Sequence, residues 1–564
     1  MMNVHCRRLL LLVVVLTCYV LPADAQSVWW ILLADKGPDA AAHLATPEVF
    51  LSREALERRS EKGIPVTVED LPVYTAYQEA VQEKGFQVLG HSRWLNALAV
   101  TATPADLARL QGVSWVRGMR PAARLTLAHY PETNTTEALD ALPQGIAYGK
   151  AETQNTMIHV QDLHTKGFTG RGVIVAVFDA GFPGVDKVAA FDSLRSEKRI
   201  LHTWDFVENN DAVYEDNNHG TQVLSTIAAN LPGEMVGTAP HASFILCRTE
   251  DARSERQIEE YNWLRAMEWV DSIGVDMIHS SLGYNEFDEP SESYTYPQLD
   301  GNTAIITRAA DMAAARGILV TTSAGNSGQD EWRFIGAPCD ADSVLCIGSV
   351  DRNQKKSGFS SFGPAADGRI KPDVTAMGSS SAVIMPSGTV STASGTSFSG
   401  PIVAGMVACL KQAHPKRSNM DIIQAIRLSA DQYAFPDSAY GYGIPHAGKA
   451  DSLLANVQDL STVRIVMSQK PVRTVKRPAA PTVSLTTGAT TTLTVDQEAV
   501  LIRAATDITG VTLMRGKQTV YLDGAEITRT GNTARINKQY LIAGDYIITI
   551  TTTQATENLL LKLP

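Results

Sequence analysis

The run Val173-Ile174-Val175-Ala176-Val177-Phe178 does most to limit how this chain can fold. Neither alternating set of positions contains a polar residue. A strand of that kind must be covered on both faces, as in a parallel sheet sandwiched between helices. The run stops at Asp179-Ala180-Gly181, an acid followed by a turn glycine. Reactive groups in open α/β sheets gather at the carboxyl ends of the strands, which makes Asp179 a first candidate. Taken alone, an aspartate at that place is a turn cap.

Three further segments have the same character. In Asn217-Asn218-His219-Gly220-Thr221-Gln222-Val223-Leu224, a histidine opens an amphipathic helix that continues through Ile227-Ala228-Ala229. In Ser394-Gly395-Thr396-Ser397-Phe398-Ser399-Gly400-Pro401, a small-residue turn presents Ser397 at the mouth of a buried apolar helix, Ile402 to Leu410. Gly395 permits the tight turn, and Pro401 is tolerated because first-turn amides lack intrahelical partners. In Val320-Thr321-Thr322-Ser323-Ala324-Gly325-Asn326-Ser327-Gly328, a strand ends in a turn that carries Asn326. Each has a bland reading of its own: a capping or core histidine, an N-cap serine, a turn asparagine.

Together, and in this order, the four segments resemble the subtilase family of serine peptidases. Gly395-Thr396-Ser397 with Pro401 matches the nucleophile motif, and His219-Gly220-Thr221 matches the histidine motif. The family usually has Ser or Thr between the aspartate and the glycine. Ala180 stands there in this chain, so the carboxylate loses a hydroxyl of support but no triad member is missing. Gln222 likewise replaces a common second histidine. The resemblance covers roughly residues 150 to 452. It implies a three-layer α/β/α fold with a mainly parallel sheet, with Ser397 as nucleophile, His219 as base and Asp179 orienting the imidazole. Asn326 and the Ser397 N–H would bind the oxyanion. Chemistry of this kind needs no cofactor. Structural calcium is frequent in the family, but no compact Asp-rich loop marks a site here, and no metal ligand set is assigned.

Met277-Ile278-His279-Ser280-Ser281-Leu282-Gly283 resembles the family strand that pairs with substrate backbone. Ser281-Leu282-Gly283 and Ser323-Ala324-Gly325 would then wall the pocket for the residue before the cut bond. Their small side chains lead us to expect a roomy, apolar pocket. The partners implied are polypeptide substrates. The rival from another class is a catalytically dead subtilase fold serving as a binding or adhesion module, favoured only by Ala180.

At 564 residues, the chain is long enough for three or four domains. A net charge of −11 and the lack of a basic stripe argue against nucleic acid as a partner. Residues 1–25 read as a secretory signal, with His5, Arg7 and Arg8, an apolar run from Leu9 to Leu21, and Ala23-Asp24-Ala25 before Gln26. The run is too short for a membrane span, and no transmembrane segment is expected elsewhere. The expected location is outside the cell or on its surface, reached through the periplasm. Cys247, Cys339, Cys346 and Cys409 remain after the signal, without zinc-like spacing. Cys339 and Cys346 flank a short turn and strand start and are the expected pair. Cys247 and Cys409 sit in apolar stretches that suit buried thiols.

Residues 26–150 read as an α+β unit followed by an exposed junction. The expected elements are strand 29–33, helices 47–62 and 74–84, strands 86–92 and 97–103, helix 104–111 and strand 113–117. That order resembles the inhibitor-like propeptide of subtilases, so the chain's own propeptide is an expected partner. An ordinary accessory domain has the same pattern. The peptidase domain is expected over residues 151–455 and a Pro- and Lys-rich linker over 456–492. Residues 493–564 read as Thr-, Val- and Ile-rich strands of a small β-sandwich. Leu541 to Ile548 and Leu559 to Pro564 resemble a sorting domain read by type IX secretion machinery; a generic β-sandwich appendage also fits.

Overall fold

In a computed structural model of the chain, the described residues are 27–123, 146–460 and the strands between 483 and 563. The expected signal, most of the junction and most of the linker lie outside them. Two units are distinct, residues 1–465 and 466–564.

The N-terminal domain contains β1 (Ser27–Leu33), α1 (Arg53–Glu61), α2 (Thr75–Glu83), β2 (Gln87–Ser92), β3 (Ala97–Ala102) and β4 (Val116–Ala123). Its sheet has the order β2-β3-β1-β4, every pair antiparallel. The expected helix 47–62 begins late. Pro47–Val49 is one 3₁₀ turn, and Ser52 caps α1 by accepting the Ala55 N–H at 3.1 Å. The expected helix 104–111 is a 3₁₀ segment, Asp106–Leu110, closed by Thr103 and Asp106.

The larger domain contains β5 (Ile174–Asp179), β6 (Ile200–Asp205), α3 (His219–Ala228), β7 (Ser243–Arg248), α4 (Ile258–Ile273), β8 (Met277–Ser280) and α5 (Ile305–Ala315). It continues with β9 (Leu319–Ser323), β10 (Val344–Val350), β11 (Val374–Met377), α6 (Thr396–Ala413), α7 (Asn419–Ser429) and α8 (Ala447–Asn456). Seven strands form one sheet in the order β11-β10-β9-β8-β5-β7-β6, all parallel. Alternation along β5 explains why both sets of its positions are apolar. Val175 and Val177 join a core with Val223, Leu224, Ile402 and Val403 of α3 and α6. Ala176 and Phe178 join a second core with Trp263, Leu264, Ala309 and Ala310 of α4 and α5. The chain runs off in opposite directions from β5, so the sheet has its switch point there, beside Asp179. Cys339 and Cys346 form a disulfide, while Cys247 and Cys409 are buried thiols. In the described end of the expected junction, residues 146–150, Ala147 and Lys150 are exposed but Tyr148 is not. Tyr148 is buried in the first core, and its hydroxyl lies 2.6 Å from His164 Nδ1.

In the C-terminal unit, the described strands make two antiparallel sheets. One contains Val483–Thr486, Thr492–Val495, Ala499–Arg503, Thr533–Asn537 and Ile527–Thr530; the other contains Gln518–Val520, Ile508–Arg515, Gly544–Thr552 and Thr556–Leu563. Among the described residues no helix is long and apolar enough to cross a membrane.

The N-terminal domain is held to α4 by buried charge. Asp271 is fully buried and accepts from Arg58 at 2.6 Å, Arg59 at 2.8 Å and Arg93 at 2.6 Å. Asp70 bridges Arg59 and Arg316, each at 2.8 Å. Glu268 accepts from the Ser92 hydroxyl and from the Arg93 and Trp94 amides. Removing one member leaves buried cations without a counter-charge, which costs about 3–5 kcal/mol. Asp271→Ala should therefore loosen the N-terminal domain. Amide exchange in β3 should quicken at least 100-fold, about the size that cost implies; unchanged protection would refute the anchoring role.

Candidate active site

The buried β5 delivers Asp179 to the carboxyl edge of the sheet, fully out of solvent. Its Oδ1 accepts the Ala180 N–H at 2.8 Å and lies 2.8 Å from His219 Nδ1. Among the described residues, Oδ2 has no donor, as fits an alanine in place of a hydroxyl residue at 180. His219 is the first residue of α3, and its own N–H donates to Asn217 Oδ1 at 2.8 Å. Gly220 makes this approach feasible, since a Cβ there would stand 2.3 Å from the Gly181 carbonyl and 2.9 Å from Asp179 Cβ.

Ser397 lies in the first turn of α6 and is 7% exposed. Its Oγ is 3.4 Å from the Ser281 carbonyl oxygen. The ring of the next residue, Phe398, has its centroid 5.8 Å from that of His219. The starts of α3 and α6 thus share one corner of the sheet edge. Asn326 Oδ1 accepts from the Thr396 N–H at 2.9 Å and the Thr396 hydroxyl at 3.0 Å. Two donors on the oxygen fix the amide, so Nδ2 is the atom left to donate toward the cavity that Asn326 and Ser397 both line.

Ser281 and Ser323 do more than wall a pocket. Their hydroxyls donate to the carbonyls of Ser397 and Thr396, each at 2.9 Å, and so pin the turn that carries Ser397. His279, which sequence reasoning assigned no role, stands behind Ser281. Its Nε2 is 2.8 Å from Ser281 Oγ and its Nδ1 is 3.0 Å from Thr321 Oγ1. Gly400 leaves room for it, since a Cβ there would lie 2.9 Å from His279 Cε1. Burial, with a smaller push from His219, drives the His279 pKa down to about 3.

The cavity beside Ser397 measures about 230 Å³. Leu282, Gly283 and Gly325 line it together with Ser281 and Ser323. Ala324 does not, because it turns into a small core with Ile335, Cys339, Cys346 and Ala365. Nor is the pocket apolar: Glu250 and Glu255, from the segment between β7 and α4, line it. The charged stretch Arg248-Thr249-Glu250-Asp251 at the end of a core strand was the signal for this. Among the described residues, two groups of three side chains stand close enough to share an ion, His159-Asp162-His446 and Glu250-Glu255-Glu259. Calcium takes about six to eight oxygen ligands, of which three side chains could supply only a part.

The subtilase family model matches residues 170–443, and a model of the peptidase S8 propeptide domain of Bacteroidota matches residues 28–138. Subtilisin of Bacillus pumilus is 30% identical over 305 residues, covering 53% of this chain and 97% of the relative. Subtilisin E of Bacillus subtilis (strain 168) is 29% identical over 374 residues, 65% of this chain and 84% of the relative. Among solved structures, MycP1 with the N-terminal propeptide removed is 23% identical, covers 53% of this chain and 97% of that one, and has a TM-score of 0.41.

His279 generates a pH test. Its folded pKa lies below the ordinary histidine value of 6.5. Between pH 6.5 and about 3 the unfolded chain therefore binds the extra proton, and stability rises with pH in that window. The contribution is complete above pH 6.5 and is lost toward pH 3, with a slope of up to about 1.4 kcal/mol per pH unit. Urea unfolding should show this slope in the wild type and a shallower one in His279→Asn; equal slopes would refute a neutral buried His279.

Proposed function

The chain belongs to the subtilase family of serine peptidases, and from that premise we propose that it is a secreted endopeptidase, made as a zymogen, that cuts polypeptides with Ser397, His219 and Asp179. The observation that carries this reading is the 2.8 Å contact of His219 Nδ1 with a buried Asp179, beside a turn that presents Ser397 to the oriented amide of Asn326. Serine is a weak nucleophile until a base takes its proton. His219 Nε2 removes the Ser397 Oγ proton as Oγ attacks the peptide carbonyl. Asp179 holds the tautomer with Nδ1 protonated and stabilises the imidazolium without taking the proton. The oxyanion meets Asn326 Nδ2 and the Ser397 N–H, one of the first-turn amides without an intrahelical acceptor. His219 returns the proton to the leaving amine. Water then cleaves the acyl-enzyme by the same proton route.

The N-terminal domain, matched by the propeptide model, is the proposed inhibitor of this site, anchored through Asp271 and Glu268. Residues 1–25 would direct export, and residues 493–564 would be the part read by type IX secretion machinery. A second reading, a catalytically dead binding module, draws on one observation: Asp179 Oδ2 lacks a donor among the described residues.

A fluorophosphonate reagent should label Ser397 in the wild type and nothing in Ser397→Ala, which should also accumulate uncut between residues 124 and 145. An unlabelled wild type would favour the dead module. Asn326→Ala should lower kcat by roughly 10²–10³ with little change in KM, because the lost donor acts on charge formed in the transition state. A change confined to KM would remove Asn326 from the oxyanion site.

Deleting residues 493–564 should leave kcat/KM of the purified enzyme unchanged but hold the protein in the periplasm of its host. Normal delivery of the truncated chain to the surface or medium would rule out the sorting role.

A further inference from the structure

The cavity beside Ser397 carries two carboxylates that acyl transfer does not use. Glu250 follows β7, and Glu255 lies in the loop leading to α4. Both line the same cavity as Ser397, Asn326 and Gly283. Glu250 is 8% exposed, and its Oε2 accepts the Tyr284 hydroxyl at 2.7 Å. Glu259 stands behind them, with carboxylate oxygens of all three residues within 4.8 Å of one another. Glu259 is satisfied by backbone, accepting the N–H groups of Asp251 and Arg256 at 3.2 and 3.0 Å. Glu255 is tethered through its backbone alone. Its N–H donates to Asp288 Oδ2 and its carbonyl accepts the Asp288 N–H, both at 3.0 Å. Among the described residues, the Glu255 carboxylate has no hydrogen-bond or ion-pair partner.

Such a pocket is poorly suited to an apolar side chain. Filling it with hydrocarbon would strip water from carboxylates and leave them without a counter-charge. Burial pushes the Glu250 pKa up to about 7, with the charge of Asp179 adding to the effect and the Tyr284 hydrogen bond opposing it. Burial, then Glu250 and Asp288, also raise Glu255. These groups are held back from ionising until a cation shares the space. Tyr284 and Phe334 line the same cavity, and a long alkyl stem could pack beside them.

We propose that this cavity binds the side chain of a lysine or arginine, so that the enzyme cuts polypeptides after basic residues. The inference rests on the peptidase reading above and adds to it the class of substrate. Glu255 supplies the open carboxylate at the cavity wall. Glu250, fixed by Tyr284, supplies a second, and a guanidinium can span the two.

The test uses enzyme from the full chain once self-processing is complete, with active sites counted by fluorophosphonate labelling. The substrates are peptides that differ only in the residue before the cut, namely Arg, Lys, Leu, Phe or Glu. Arg and Lys peptides should exceed Leu and Phe peptides in kcat/KM by about tenfold or more. Glu255→Gln and Glu250→Gln should each lower the Arg-to-Leu ratio by about 10- to 100-fold, the range expected for one charge-assisted hydrogen bond. Glu255→Lys, at a part-exposed position, should shift preference toward the Glu peptide. A wild type that prefers Leu or Phe overturns the proposal, as does a ratio that no variant moves. An enzyme that is neither labelled nor active on any protein overturns the peptidase reading itself, and this inference falls with it.

Discussion

The site depends on how the first turn of α6 is tied to the carboxyl ends of β8 and β9. Ser281 and Ser323 hold two of its carbonyls, Asn326 holds the Thr396 amide and hydroxyl, and the Gly325 N–H donates to Thr396 Oγ1 at 3.2 Å. A helix start ordinarily leaves amides and hydroxyls to water. Here each bond comes from a residue at the end of β8 or β9 or within three residues beyond it, and both strands are locked into the parallel ladder. The turn therefore inherits the rigidity of the sheet, which suits the nucleophile role proposed for Ser397, since such a role needs placement within a fraction of an ångström. His279 extends this support one layer deeper, from Thr321 through Ser281 to the turn.

Asp179, His219, Asn326 and Ser397 were legible because each sits where a periodic pattern breaks: a strand end, a helix start, a turn after a strand, a turn before a helix. The two-sided burial of β5 was legible because neither alternating set of its positions from 174 to 178 is polar. Directions within turns were not. Ala324 and Gly325 are neighbours, yet one faces a core and the other the cavity, and no pattern in Ser-Ala-Gly separates them. The polarity of the pocket was missed because Glu250 and Glu255 come from an aperiodic segment, and only the fold brings them to Ser397. Tyr148 looked exposed because its neighbours lack periodicity, although the first core and a hydroxyl contact with His164 fix its side chain.

The boundary between the N-terminal domain and α4 joins an apolar seam, where Trp30 meets Tyr261, to a cluster of buried charge. Buried ion clusters add little net stability compared with well-packed hydrocarbon, but each geometry admits one register. Arg58, Arg59 and Arg93 converge on the single carboxylate of Asp271, so a slip along α4 would strand several charges at once.

Under the proposed processing of a zymogen, that arrangement bears on how the two domains would part. The three guanidiniums would leave on one surface together with Asp70, while Asp271 and Glu268 would stay behind on the other together with Arg316, so each face keeps a net charge opposite to its former partner's. The separated pieces then carry opposite charge on the faces that once met. Their re-encounter is steered at low ionic strength and slowed as salt shortens the reach of the field to about 8–10 Å. The ionic strength of the surroundings, as much as the covalent cut, would set how long the freed domain stays away.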